Sequence, residues 1–231
     1  MKTTLFTLLF IGTAQIAFSQ YGFYDETSNK WGLKNSEGEI IVDAKYDFVG
    51  TGPYDGMIII NNGCHFDEVG ERAGGKWGFL NSKGEEIVPL KYEEAQDFSN
   101  GLAPVMLNGM WGFINNKGNT VIEHKYESVC YFYHCGFSEG LSYVKIDGKW
   151  GFINENDTLV INNKYDEVNY FSQGLARVSL NGRVGFVDKE GNEVIPLIYD
   201  DAGYTFEDGK VTVTLGEEEF SIDLEGNKID N

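Results

Sequence analysis

A six-residue phrase returns along this chain at a steady interval, and that return limits the possible folds more than any other feature. It reads KWGFIN at 149–154, MWGFIN at 110–115, KWGFLN at 76–81 and KWGLKN at 30–35, with a fainter RVGFVD at 183–188. Fifteen residues after Trp31, Trp77, Trp111, Trp150 and Val184 stand Tyr46, Tyr92, Tyr126, Tyr165 and Tyr199. Each tyrosine is followed by an acid: Asp47, Glu93, Glu127, Asp166 and Asp200. Seven residues after the Trp or Val comes Gly38, Gly84, Gly118 or Gly191, with Asp157 replacing the glycine in the fourth unit. Phe-Ser-x-Gly-Leu recurs at 98–102, 137–141 and 171–175, and in weaker form at 206–210. A degraded sixth copy closes the chain at 219–229. Spacing held in register five times over marks a tandem repeat, here of about 34 residues with two inserts.

The third unit shows what one repeat builds. LAPVML at 102–107 reads as a strand, Asn108-Gly109 as a tight hairpin turn, and 110–115 as the returning strand. Asn116-Lys117-Gly118 turns the chain again into a β-branched third strand at 119–123. No sustained helical period occurs after residue 20, so almost no helix is expected. Alternation puts Trp111 and Phe113 on one face and Gly112 and Ile114 on the other, so both faces need cover. The glycine beside each Trp fits a place where a neighbouring sheet or ring comes too close for a Cβ. The fold class is therefore all-β: about six three-stranded antiparallel meanders, stacked as an elongated twisted array. A propeller-like closed ring is the alternative, though propeller blades usually need four strands and more residues. The units are cut at about 21–50, 51–96, 97–132, 137–171, 172–206 and 207–231, all in one domain spanning 20–231.

These residues resemble the bacterial WG-containing repeat family. The likeness rests on Trp31-Gly32, Trp77-Gly78, Trp111-Gly112 and Trp150-Gly151, the Tyr-acid pair and the Phe-Ser-x-Gly-Leu segment. It covers nearly all of 20–231, and it departs at Val184, at Asp157, in the last unit and at the inserts. The resemblance implies a β-repeat, exported from a bacterium, with no family-wide activity and hence no catalytic residue to carry over.

The first nineteen residues carry Lys2, an apolar run over 5–18 and a small-residue site at Ala17-Phe18-Ser19, the pattern of a signal peptide. We expect the mature chain to begin at Gln20, in the periplasm, on the cell surface or outside the cell, without insertion into the membrane. Its formal charge of -18, one unit more negative once Lys2 is removed, repels nucleic acid and suits a basic partner. Aromatic residues at 14% weigh against disorder.

Residues present in every unit are best read as construction. The Trp and Val anchors are expected to fill the seams between meanders, and the recurring Tyr to lie half-buried with its hydroxyl reaching water or a neighbouring backbone group; a row of exposed Trp rings stacking on sugars is the alternative. Val184 favours the seam, because valine cannot stack on a sugar but can fill a core. The repeated acids are expected to accept backbone N–H groups in the turn after the third strand, with an acidic track as the alternative. Asn154–Asp157 and Asp188–Gly191 do not have the spacing of a calcium loop.

Unique chemistry should sit where the pattern breaks. One insert, at 61–75, carries Cys64, His65, Asp67 and Glu68, and a second, after Tyr126, carries Cys130, His134 and Cys135. Export makes a disulfide the first explanation, with Cys130–Cys135 preferred over either bond to Cys64. A metal site or a cysteine nucleophile drawn from these residues lacks a ligand spacing or motif to support it. The expected function is a non-catalytic scaffold binding a protein or cell-surface polymer, with no cofactor. A glycan-binding module is the first alternative, and an enzyme or metal site built on the inserts the second.

Overall fold

The computed structural model describes residues 20–66, 72–129 and 136–229, which form six small antiparallel sheets and no helix. The first sheet is β1 (Gln20–Asp25), β2 (Lys30–Asn35) and β3 (Ile40–Tyr46). The second holds β4 (Phe48–Val49), β5 (Met57–Phe66), β6 (Arg72–Asn81) and β7 (Glu86–Tyr92). The third holds β8 (Glu94–Ala95), β9 (Leu102–Leu107), β10 (Met110–Asn115) and β11 (Thr120–Tyr126). The fourth is β12 (Leu141–Ile146), β13 (Lys149–Asn154) and β14 (Leu159–Tyr165). The fifth is β15 (Glu167–Val168), β16 (Ala176–Leu180), β17 (Arg183–Val187) and β18 (Glu193–Tyr199). The sixth is β19 (Asp201–Ala202), β20 (Lys210–Leu215) and β21 (Glu218–Asp223).

The three-stranded meander is thus the body of the first five sheets, and the structure adds a short outer strand to four of the six. β4, β8, β15 and β19 follow the Tyr-acid pair of one unit but pair with the first long strand of the next. The fourth sheet keeps only a bridge at this place, Ser128 to Lys145. Two residues are too few to show an alternating pattern, so sequence left this strand invisible.

The fifteen-residue interval is a register. Trp31, Trp77, Trp111, Trp150 and Val184 lie directly across the ladder from Tyr46, Tyr92, Tyr126, Tyr165 and Tyr199. Two residues on, Phe113 faces Ile122, so the third strand carries extra residues between these pairs and bulges over Gly112. A Cβ built on Gly112 would stand 2.6 Å from the carbonyl oxygen of Ile122, and on Gly151 2.5 Å from that of Ile161. The glycine therefore makes room for the adjacent strand of its own sheet rather than for a neighbouring sheet, which corrects one half of the expectation; the other half, a close ring, holds at Gly32, where Phe23 would lie 2.6 Å from a Cβ. Gly112→Ala should cost about 1–3 kcal/mol, since a backbone oxygen cannot swing aside as a side chain can. Urea unfolding would measure it; a change below a few tenths of a kcal/mol would mean the bulge relaxes freely.

The last residue of the phrase builds the next turn. In the third unit the Asn115 side-chain oxygen accepts from the backbone N–H groups of Lys117 (3.0 Å) and Asn119 (3.1 Å). Asn154 and Asp188 do the same in their units. These side chains mimic a backbone turn, which gives Asn or Asp at the end of the phrase a structural role.

Five hydrophobic clusters join the six sheets, each formed by one sheet and the next. Trp111, Phe113, Ile122 and Tyr126 pack forward onto Val144 and Ile153 of the fourth sheet. Ile114, Val105 and Ala103 pack back onto Trp77 and Phe79 of the second. Both faces of an inner sheet are thereby covered, as the alternation predicts. Trp77, Trp111 and Trp150 are 8%, 7% and 2% exposed, so the inner indoles are core. Tyr46, Tyr92, Tyr126, Tyr165 and Tyr199 are core as well, at most 5% exposed, where a half-buried place was expected.

The two end sheets are made differently. Lys34 occupies the position that Leu80, Ile114, Ile153 and Val187 fill with fully buried aliphatic carbon in the inner sheets. In the sixth sheet Glu219 and Ser221 take the places of Trp and Phe. Polar outer faces are what terminal repeats need. Phe220 takes the place of the bulge glycine there, in a sheet whose third strand is reduced to a bridge between Ile222 and Lys228. Its ring packs into the cluster that holds Val184, filling volume that an indole fills elsewhere.

Candidate functional site

In each meander the first strand begins, and the second ends, at the same edge of the sheet. Stacking therefore gives the molecule two rims. One carries the Asn-Gly hairpins and the Tyr-acid pairs, and the other carries the Phe-Ser-x-Gly turns.

On the hairpin rim the repeated acids link neighbouring sheets. Asp47 accepts from Gly63 N–H (2.7 Å), Glu93 from Gly109 (2.7 Å), Glu127 from Gly148 (3.1 Å), Asp166 from Asn181 (2.7 Å) and Asp200 from Gly216 (2.7 Å). The acceptor role matches expectation, but the donor belongs to the first hairpin of the next unit. Lys30, Lys149 and Arg183 pair with Asp47, Asp166 and Asp200. The Lys149 ammonium and the Asn181 N–H hold the Asp166 carboxyl below the usual range. Lys45, Lys91, Lys125 and Lys164 lie over the rings of Tyr46, Tyr92, Tyr126 and Tyr165 at 4.9–5.2 Å. Among the described residues these five carboxylates are joints between neighbouring sheets. Asp157 is a related joint, reaching back to the Tyr126 hydroxyl and the Lys125 ammonium. Burial and that carboxylate together push the Tyr126 phenol up.

On the opposite rim a buried Phe anchors each turn. Phe98, Phe137, Phe171 and Phe206 lie 4.9–5.2 Å from Phe79, Phe113, Phe152 and Phe186 of the preceding sheet. Asn100 and Gly101 have φ of 53° and 80°, the left-handed pair that closes a two-residue hairpin turn. The residue between Ser and Gly then reaches to the next turn. Asp55 accepts from Gly101 N–H (2.7 Å), Asn100 donates to Phe137 O (2.8 Å), Glu139 accepts from Gly174 N–H (3.2 Å), and Gln173 donates to Phe206 O (3.1 Å). Four links form a continuous rail from the second sheet to the sixth.

This rail borders a cavity of about 570 Å³. Its walls are the turns at 96–100 and 136–139, with Tyr54 from the β4–β5 connection of the second sheet and Tyr170 from the β15–β16 connection of the fifth. Connections of four consecutive sheets thus contribute, which makes the cavity a product of assembly. Asp97 lies in its wall, with Oδ1 buried and without a hydrogen-bond partner among the described residues. Burial pushes its carboxyl up to about 6. Glu139, the other acid in the wall, is neutralised by Lys189 at 3.0 Å.

The residues singled out in the sequence lie elsewhere. Cys64 and His65 sit on β5, opposite Gly74 and Ala73 of β6, in a hairpin that extends past its neighbours on the hairpin rim. The first insert is therefore ladder for most of its length, not loop. Asn61, fully buried, holds its base by donating to Gly74 O (3.2 Å) and accepting from Cys64 N–H (3.1 Å). Asp67, Glu68, Cys130, His134 and Cys135 lie outside the described residues, and so does the expected Cys130–Cys135 bond. Among the described residues no group of three or more His, Cys, Asp and Glu is placed to hold a metal ion. His124 stacks on Tyr92 at 5.9 Å, and burial pulls its imidazole down. Asp97 escaped sequence analysis, although aligning the units would have shown it: its counterparts are Gly52, Gly136, Tyr170 and Thr205.

Residues 31–63, 77–111, 111–150, 150–183 and 185–217 match the model of the WG containing repeat. The chain belongs to the WG containing repeat family. No curated protein matches this WG-repeat chain. Among solved structures, a eukaryotic initiation factor is similar with a TM-score of 0.53 and 10% identity, over 93% of this chain and 62% of that one. The WG-repeat chain thus spans less than two thirds of that protein. Hsv2p of Kluyveromyces lactis is similar with a TM-score of 0.46 and 14% identity, over 84% and 68% of the two chains. What the WG repeats share with the first of these is the fold, a β-propeller-like succession of small antiparallel sheets. No helix among the described residues is long and apolar enough to cross a membrane.

Proposed function

We propose that this protein is an exported, non-catalytic scaffold of bacterial origin that binds another polypeptide outside the cytoplasm. The observation that carries the reading is the cavity on the turn rim, which exists only because four consecutive sheets are stacked. Repeat folds of this kind offer extended surfaces for macromolecular contact. Burial of Trp77, Trp111 and Trp150 removes the aromatic row that a sugar-stacking surface would need. The charge of -18 favours a basic partner and disfavours nucleic acid. Residues 1–19 act as the leader, and the mature protein works in the periplasm, on the cell surface or outside the cell.

Two measurements test this. Expressed with its leader in a bacterial host, the protein should leave the cytoplasm with Gln20 as its first residue by mass spectrometry. An intact leader on cytoplasmic protein would overturn export. Immobilised mature protein should bind an envelope polypeptide saturably, while a panel of glycans should not bind. Saturable glycan binding alone, or turnover of a bound substrate, would replace this reading.

A further inference from the structure

We infer that the cavity at Asp97 is a receptor for a cationic side chain, a lysine ammonium or arginine guanidinium presented by a basic partner segment. The inference rests on the protein-binding role and names the chemistry of its contact.

Three observations support it. First, the cavity has real volume, about 570 Å³, and it is built from turns of successive sheets that the rail holds in fixed relation. Second, Asp97 has no counter-ion among the described residues, and its buried Oδ1 has no hydrogen-bond partner there. A carboxylate held this way is costly until a cation or donor reaches its accessible side. Elsewhere in this fold the repeated acids find their partners: Asp47, Glu93, Glu127, Asp166 and Asp200 each take a backbone N–H. Asp97 is not one of these repeated acids; at its place the other units have Gly52, Gly136, Tyr170 and Thr205. Third, Tyr54 and Tyr170 line the same cavity as Asp97, and Tyr54 is 46% exposed. An aromatic ring attracts a cation by its quadrupole, which adds to the pull of a carboxylate in one cavity.

The charges around Asp97 point the same way. Glu139 in the same wall carries Lys189, and Asp55 on the adjoining turn is taken up by Gly101. Of the two acids in the wall, Glu139 has a cation among the described residues and Asp97 has none. A neutral sugar could donate hydroxyls to Asp97, yet it would leave the charge in place; an ammonium or guanidinium removes it. The stem of a lysine or arginine would lie along the tyrosine rings, apolar carbon against aromatic carbon.

Titration calorimetry of the mature protein at physiological salt provides the test, with tri-lysine, its Nε-acetylated form and cellotriose as probes. Tri-lysine should bind saturably, and acetylation should weaken it at least about tenfold. Asp97→Asn should weaken tri-lysine by a similar factor, and Tyr54→Ala by severalfold. Glu217→Gln, an exposed acid on the hairpin joining β20 and β21, should leave binding unchanged. An equal loss in Glu217→Gln and Asp97→Asn would show general charge attraction and overturn the site. Cellotriose binding that depends on Asp97, with none for tri-lysine, would overturn the ligand class. Asn is close to Asp in shape, and a thermal melt of the variant guards against misreading an unfolded protein. If Asp97→Asn leaves tri-lysine binding intact while an envelope polypeptide still binds, this site fails and the wider role stands.

Discussion

Trp150→Ala should lower the stability of the protein by about 3–5 kcal/mol, the usual cost of truncating a fully buried large aromatic residue. Trp150 is 2% exposed, stands across from Tyr165 and packs edge-on to Tyr143 at 5.5 Å. Its cluster is shared between the fourth and fifth sheets, so the cavity opens in a joint and not inside one unit. In a linear repeat, stability is a sum of unit terms and interface terms. Weakening one inner interface should therefore also broaden or split the urea transition, as the units on either side begin to unfold separately. Trp31→Ala is the contrast. Trp31 is half-buried in the first sheet, and its loss should cost clearly less and leave the transition single. Equal losses in both variants, or less than about 1 kcal/mol for Trp150→Ala, would mean that the indoles do not carry the seams.

Val184 shows why the seam tolerates variation at a fixed position. The side chain there is small, and Phe220 from the next sheet enters the same cluster. Sequence announced the first half of this exchange through the broken Trp-Gly phrase. It could not announce the second, because the partner lies thirty-six residues away and across a sheet interface. The same division runs through the whole molecule. Strands, tight turns and the face of each Trp depend on neighbours close along the chain, and the repeat writes them out five times. What one sheet does to the next depends on stacking, which no local pattern encodes. Hence Glu93 could be read as an acceptor of a backbone N–H, but not as the cap of Gly109 in the following unit. Gly112 could be read as a place of close approach, but the strand that approaches required the register. Asp97 was legible in principle as the one acid among Gly52, Gly136, Tyr170 and Thr205, yet only the assembled turns give that substitution a cavity to line.

Asp97→Asn should stabilise the unliganded protein at neutral pH, by an amount that disappears as the pH is lowered. The folded-state carboxyl sits at about 6 against a usual value of 3.8, with burial as the cause. Between those values the folded chain holds a proton that the unfolded chain has released. Stability is thus fully present below about 4, falls as the pH rises toward 6, and stays reduced above it. Two pKa units correspond to about 3 kcal/mol, and partial access of solvent to Asp97 brings the expected difference to about 2 kcal/mol. Asparagine carries no charge, so the variant should lack this fall. Glu94, also pushed up by burial, contributes in the same sense to both proteins. The carboxyls of Asp166, Asp188 and Asp223 are held below their usual range and act in the opposite sense at lower pH, again in both. The wild-type-minus-variant difference, followed by chemical unfolding from pH 4 to 7, isolates Asp97. A difference that is flat across the range would mean that the carboxylate is already compensated in the free protein. Saturating tri-lysine should remove most of the wild-type penalty near neutral pH, because a bound ammonium stabilises the ionised form that burial opposes. A cost carried in the free state and relieved on binding is how an unpaired buried charge can select a cation over a neutral ligand.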